Sequence, residues 1–110
     1  MAQELDSFSD YIIHDQLQAL QIRGRRMFGG VGLYRGMTFF GLIWQGTLFF
    51  KTDDLSRNPY LKANMKPFQP NPKQILKSYY QVPNEIVENR EQLMLWAKEA
   101  IRIGQAASKP

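Results

Sequence analysis

Between residues 31 and 52 the chain reads as three strands joined by two X-Gly turns, and this meander fixes most of what the fold can be. Val31-Gly32-Leu33-Tyr34 turns at Arg35-Gly36 into residues 37–44, which turn at Gln45-Gly46 into residues 47–52. Glycine takes positive φ at little cost, so both dipeptides suit two-residue hairpins. The middle strand is apolar on both parities. Met37, Phe39 and Ile43 fall on one face, Phe40, Leu42 and Trp44 on the other. An antiparallel sheet with one wet face alternates more cleanly than this. Either helices cover both faces or one face meets another protein. A homodimer, or an exposed apolar patch kept for a partner, is therefore expected, two-fold pairing being the commonest closed arrangement.

Helical periodicity flanks the meander. Phe8, Ile12, Gln16 or Leu17, and Leu20 predict a helix over roughly residues 7–21, started by Ser7-x-x-Asp10 and broken by Gly24. Asp54 is the expected cap of a short helix running to about Ala63. Residues 65–72 hold Pro67, Pro70 and Pro72 and predict a loop or an edge strand. Residues 75–82 read as a strand closed by Pro83, which suits the first turn of a short helix. Asn89-x-x-Gln92 resembles a capping box for the last helix. The apolar stripe of that helix is Leu93, Trp96, Ala97, Ala100, Ile101 and Gly104, whose small members permit a close approach to a sheet. The order predicts an α+β fold: a two-layer sandwich with an antiparallel sheet of about five strands and helices packed on it. A single domain over residues 1–110, with its core at about 8–104, is expected.

The absence of cysteine excludes a disulfide framework and thiolate chemistry and suits a reducing cytoplasm. Residues 1–6 are acidic and lack a hydrophobic run, so no signal peptide is expected, and no apolar stretch approaches a membrane span. Charge is unevenly spread. Residues 1–22 hold Glu4, Asp6, Asp10 and Asp15 without a Lys or Arg, whereas residues 23–110 hold 14 basic residues against 6 acidic ones. A basic body suits an anionic partner, although an excess of Lys also serves solubility.

The densest basic cluster is Arg23, Arg25 and Arg26, with Arg35 brought near by the first hairpin. On a strand, Arg23 and Arg25 share a face while Arg26 points away. These four arginines are the candidate residues for a nucleic acid or a protein partner, and Tyr34 is placed to stack a base. The glycines beside them are not a phosphate loop. A G-x-G-x-x-G begun at Gly30 needs glycine where Arg35 stands. A P-loop begun at Gly24 meets Gly29 but then Gly30 in place of its lysine. Both motifs also open a helix, and here strands follow. Gly29, Gly30 and Gly32 thus read as backbone devices. His14, four residues after Asp10, reads as a surface ion pair, and no catalytic residue, metal or cofactor is expected.

The run Arg25-Arg26-Met27-Phe28-Gly29-Gly30-x-Gly32-Leu33-Tyr34, followed by Leu48-x-x-Lys51, Met65-x-Pro67-Phe68 and Tyr79-x-x-Val82-Pro83, resembles the N-terminal domain of the TfoX family. The resemblance implies a compact sandwich with an antiparallel sheet, in which Met27, Phe28, Gly29, Gly30, Gly32, Leu33, Tyr34, Tyr79, Val82 and Pro83 are structural. It implies a non-enzymatic cytoplasmic domain linked to regulation of bacterial competence genes, acting through a transcription factor or polymerase. Regulators of that family carry a second, C-terminal domain, and this chain stops before one begins. The alternative is weak, sequence-independent binding of nucleic acid through the basic surface.

Overall fold

Six antiparallel strands form one sheet in the computed structural model, which describes residues 7–27 and 29–107. Phe28 lies outside the described residues, as do Glu4 and Asp6 of the acidic first segment. The strands are β1 (Arg23–Met27), β2 (Gly30–Arg35), β3 (Thr38–Trp44), β4 (Thr47–Lys51), β5 (Pro67–Asn71) and β6 (Gln74–Gln81). Their order across the sheet is β1-β2-β3-β4-β6-β5. The sheet has one strand more than predicted because both β1 and the proline-bearing β5 pair as edges. The second hairpin turns at Gln45-Gly46, both with positive φ, as a type I′ turn requires. The first turns one residue later than read, at Gly36-Met37, with Arg35 paired to Thr38.

A bulge reorganises the central strand. Leu33 pairs with Gly41 and Tyr34 with Phe39, so Phe40 is the extra residue on β3. Parity shifts across it. Phe40 and Ile43 enter the cluster beneath the helices, whereas Phe39, Leu42 and Trp44 share the opposite face. Strict alternation had grouped Phe39 with Ile43 and Phe40 with Leu42; the inserted residue corrects both pairings.

The helices pack on one face. The first begins as α1 (Ser7–Asp10), widens into a π-helical segment (Tyr11–Gln16) and ends in a 3-10 turn (Gln18–Leu20), in place of a single α-helix over 7–21. The widened turn is closed by Leu17 N–H donating to the Ile12 carbonyl at 2.9 Å. It carries the buried Gln16, whose Nε2 donates to the Val87 carbonyl at 2.7 Å. Val87 ends α3 (Asn84–Val87), where helix carbonyls lack intrahelical donors. Replacing Gln16 by Leu keeps the volume but leaves that buried carbonyl unpaired, which is expected to cost about 1–3 kcal/mol in a urea titration.

Between β4 and β5 stands α2 (Asn58–Lys62). Its lead-in is fixed by Asp53 rather than Asp54: the Asp53 carboxylate accepts from Ser56 N–H at 2.8 Å, and Ser56 Oγ accepts from Asp53 N–H at 2.9 Å. The last helix, α4 (Arg90–Ala107), starts as read, with Asn89 Oδ1 accepting from Gln92 N–H at 3.1 Å. At Gly104 it rests on the backbone of β3, for a β-carbon there would lie 2.9 Å from the Phe39 carbonyl oxygen. Among the described residues no helix is long and apolar enough to cross a membrane.

The main core lies between sheet and helices and includes Ile12, Leu17, Leu33, Phe40, Phe50 and Leu93. A smaller cluster of Leu42, Phe49, Phe68 and Tyr79 occupies the helix-free face. Phe68 stands on the far edge strand, yet its ring meets Phe49 at 4.9 Å and Trp44 at 5.4 Å. The β5–β6 hairpin must therefore curl over the sheet. It roofs part of the second apolar face that the sequence left without a cover, while Phe39, Tyr34 and Trp44 stay partly exposed.

Candidate functional site

Two surfaces carry functional character, one on each side of the sheet. On the helix-free side, pairing of Arg23 with Tyr34, Arg25 with Gly32 and Met27 with Gly30 sets Arg23, Arg25 and Met27 on one face of β1. The Arg23 guanidinium lies over the Tyr34 ring, 5.2 Å from its centroid, and donates to the Gly36 carbonyl at 3.2 Å. Ring contacts continue from Tyr34 to Phe39 at 5.3 Å and from Phe39 to Tyr79 at 5.5 Å. The Lys51 ammonium closes the row, 4.9 Å above the Tyr79 ring. Burial, and then the neighbouring Tyr34, push the Tyr79 hydroxyl up to about 12, so it stays neutral throughout the physiological range. Arg25 is exposed and has no hydrogen-bond or ion-pair partner among the described residues.

The four candidate arginines are thus divided. Arg23 and Arg25 come together. Arg26 pairs across from the core residue Val31, on the opposite parity, and Arg35 pairs with Thr38, whose methyl group packs toward Gly104 on the helix side. Taken together, the six strands carry Arg23, Arg25, Arg26, Arg35, Lys51 and Lys77 and no carboxylate. Asp10, Asp15, Asp53, Asp54, Glu85, Glu88, Glu91 and Glu99 all belong to helices and their connecting turns. Among the described residues the carboxylates are confined to the helices and turns, whereas cations stand on both the strands and the helices.

The second surface is an apolar groove of about 230 Å³ between α2, its lead-in turn and α4. Tyr60 and Trp96 meet edge to face at 4.6 Å along it. Leu55 and Leu95 line it while remaining 81% and 58% exposed. Lys51 and Glu99 supply its polar margin. Arg102 ties the two walls together, meeting Glu99 at 2.7 Å on α4 and Asp53 at 3.6 Å on the turn. Exposed ion pairs of this kind add little stability, and only the Asp53–Arg102 pair joins the turn to α4. The Asp53 carboxyl is held below its usual value by the hydrogen bonds from Ser56, with Arg102 assisting, and the Glu99 carboxyl by the Arg102 hydrogen bond. Burial raises the Tyr60 hydroxyl well above its ordinary value, so the groove presents a neutral ring.

The motif residues sort by physics. Leu33 and Val82 are core, Pro83 is buried at the start of α3, and Tyr34 and Tyr79 belong to the ring row. Gly30 lies against the backbone of β3, and the Met27 sulfur occupies the space beside Gly32. Gly29 takes a left-handed φ of 77° before β2. Sequence reasoning missed Lys51, Phe39 and the whole groove. A signal for the cationic sheet was present, since residues 16–52 and 55–84 contain no Asp or Glu. No comparable signal marked the groove, whose residues Leu55, Tyr60 and Leu95 are brought together only by tertiary packing.

Comparison with known families gives a match to the TfoX N-terminal domain over residues 15–103. That span includes all six strands and most of the helical layer. A comparison with curated protein sequences finds no match.

Proposed function

The chain belongs to the TfoX N-terminal domain family, and from that premise we propose that it is a non-enzymatic interaction domain of bacterial gene regulation, working in the cytoplasm through a protein partner in transcription. The groove between α2 and α4 carries this reading. Two leucines left in solvent beside an aromatic pair form a ready receptor for an apolar side chain, and interfaces concentrate their energy in such anchors. The reciprocal Asp53–Ser56 hydrogen bonds hold the lead-in turn that carries Leu55, which limits the ordering needed there on binding. The competence role comes from the family and is the natural setting for such a partner.

The experiment is a pull-down from nuclease-treated bacterial lysate with the wild-type chain and a Leu55→Asp, Leu95→Asp double variant. Both positions are exposed, so the fold is expected to survive the changes. A transcription factor or polymerase subunit held by the wild type should be lost by at least about tenfold in the variant, the scale of one desolvated anchor. Retention that disappears with nuclease, or that ignores both substitutions, would overturn this reading.

A further inference from the structure

We propose that the helix-free sheet face is a binding site for single-stranded nucleic acid, with Tyr34 and Phe39 as the stacking surface and Arg23, Arg25 and Lys51 as phosphate contacts. The ring row lies on the opposite sheet face from the groove's aromatic pair, Lys51 standing at the margin of both, and the site does not depend on the partner proposed there.

Three observations converge. The first is the ring row, in which Tyr34, Phe39 and Tyr79 follow one another at 5.3 and 5.5 Å with a cation above each end. Tyr34 and Phe39 are only partly buried, so their rings are within reach of a base. The second is the charge pattern: cations on the strands and no strand carboxylate to repel a phosphate. The third is Arg25, an exposed guanidinium beside that row with no hydrogen-bond or ion-pair partner among the described residues. Arginine left unpaired next to aromatic surface suits bidentate capture of phosphate.

The geometry also selects the strandedness. In a duplex the base faces are stacked on one another, and reading their edges needs an element that enters a groove. The rings here lie within a sheet face that the β5–β6 hairpin partly overhangs, and among the described residues no helix projects from it. A strand with splayed bases can stack on these rings, as on other sheet platforms. Arg23 and Lys51 rest on their rings in the unbound chain. An incoming base displaces Arg23 from the Tyr34 ring, and the neighbouring phosphate receives it, while Lys51 stays over the buried Tyr79 and meets a phosphate from there.

Fluorescence anisotropy with a labelled oligothymidylate and a duplex of equal length tests this. The single strand is expected to bind about tenfold more tightly than the duplex. Its log affinity should fall with log salt at a slope of about −2, from three phosphates at about 0.7 each. Arg25→Ala leaves the fold intact by circular dichroism and should flatten that slope by about 0.7. Tyr34→Leu should weaken single-strand binding about tenfold without changing the slope, the mark of lost stacking. Leu55→Ala, which removes a groove side chain without adding a charge near Lys51, should change neither quantity, which separates this site from the groove. Equal or tighter binding of the duplex would overturn the proposal, as would an unchanged slope in Arg25→Ala. Displacement by polyglutamate as effective as by unlabelled oligonucleotide would show a site for acidic protein and would overturn it too. Should Tyr34→Leu fail to fold, quenching of Trp44 on the same face by the oligonucleotide, measured in Trp96→Phe, replaces it, and no quenching counts against stacking.

Discussion

Gly30→Ala is expected to destabilise the chain by about 2–3 kcal/mol, lowering the urea midpoint while leaving the slope of the transition unchanged. A β-carbon at this position collides with the Ile43 carbonyl oxygen and comes within 3.2 Å of the Trp44 ring. The first contact is with backbone, and Ile43 is held in register against Val31 and Leu48. Relief therefore requires part of the β2–β3 ladder to move, not merely a side chain. The same substitution discriminates against a phosphate loop. Loss of a nucleotide affinity in Gly30→Ala, with the urea midpoint unmoved, would show the glycines to be ligand-binding after all.

The second large effect is expected at the bulge. Phe40→Ala should cost about 3–5 kcal/mol, because the ring is fully buried beneath the helices and its removal leaves a cavity that a sheet cannot close. For a domain of this size that corresponds to a fall in Tm of about 15 °C or more. Phe39→Ala is the control. It removes a ring of the same size from the partly exposed face one residue away, and the loss should be clearly smaller. Equal losses at both positions would mean that the bulge does not divide the two faces as described.

These neighbouring phenylalanines show where the sequence was legible and where it was not. Local chemistry was readable: the Gln45-Gly46 turn, the Asn89 cap, the proline edge of β5 and the stripe of α4 each depend on residues close in the chain. Phe39 and Phe40 were not, because alternation assigns faces only while pairing stays regular, and the inserted residue is set by how β2 meets β3. The π-helical segment escaped for a similar reason. Its wide turn is tied to Val87, 71 residues away, and nothing near Gln16 announces that contact. The site divides along the same line. Arg23 and Arg25 were placed on one face by simple parity, whereas Lys51 over Tyr79 and the groove walls joined by Arg102 are products of tertiary assembly. Asp53 in place of Asp54 as the turn's anchor was a matter of one residue, since both carry the same carboxylate.

The two outer strands have a further consequence, for colloidal behaviour in a crowded cell. An open sheet exposes unpaired amides along its rims, and these invite recruitment of further strands from other molecules. Here one rim, β1, bears three arginines within five residues, so a like copy arriving edge-on meets concentrated positive charge. The other rim, β5, contains Pro67 and Pro70, each lacking the N–H that an added strand needs. Repulsion guards one border and missing donors guard the other. Edge-to-edge growth from copy to copy is opposed at both ends, so the open sheet is a poor seed for a fibre.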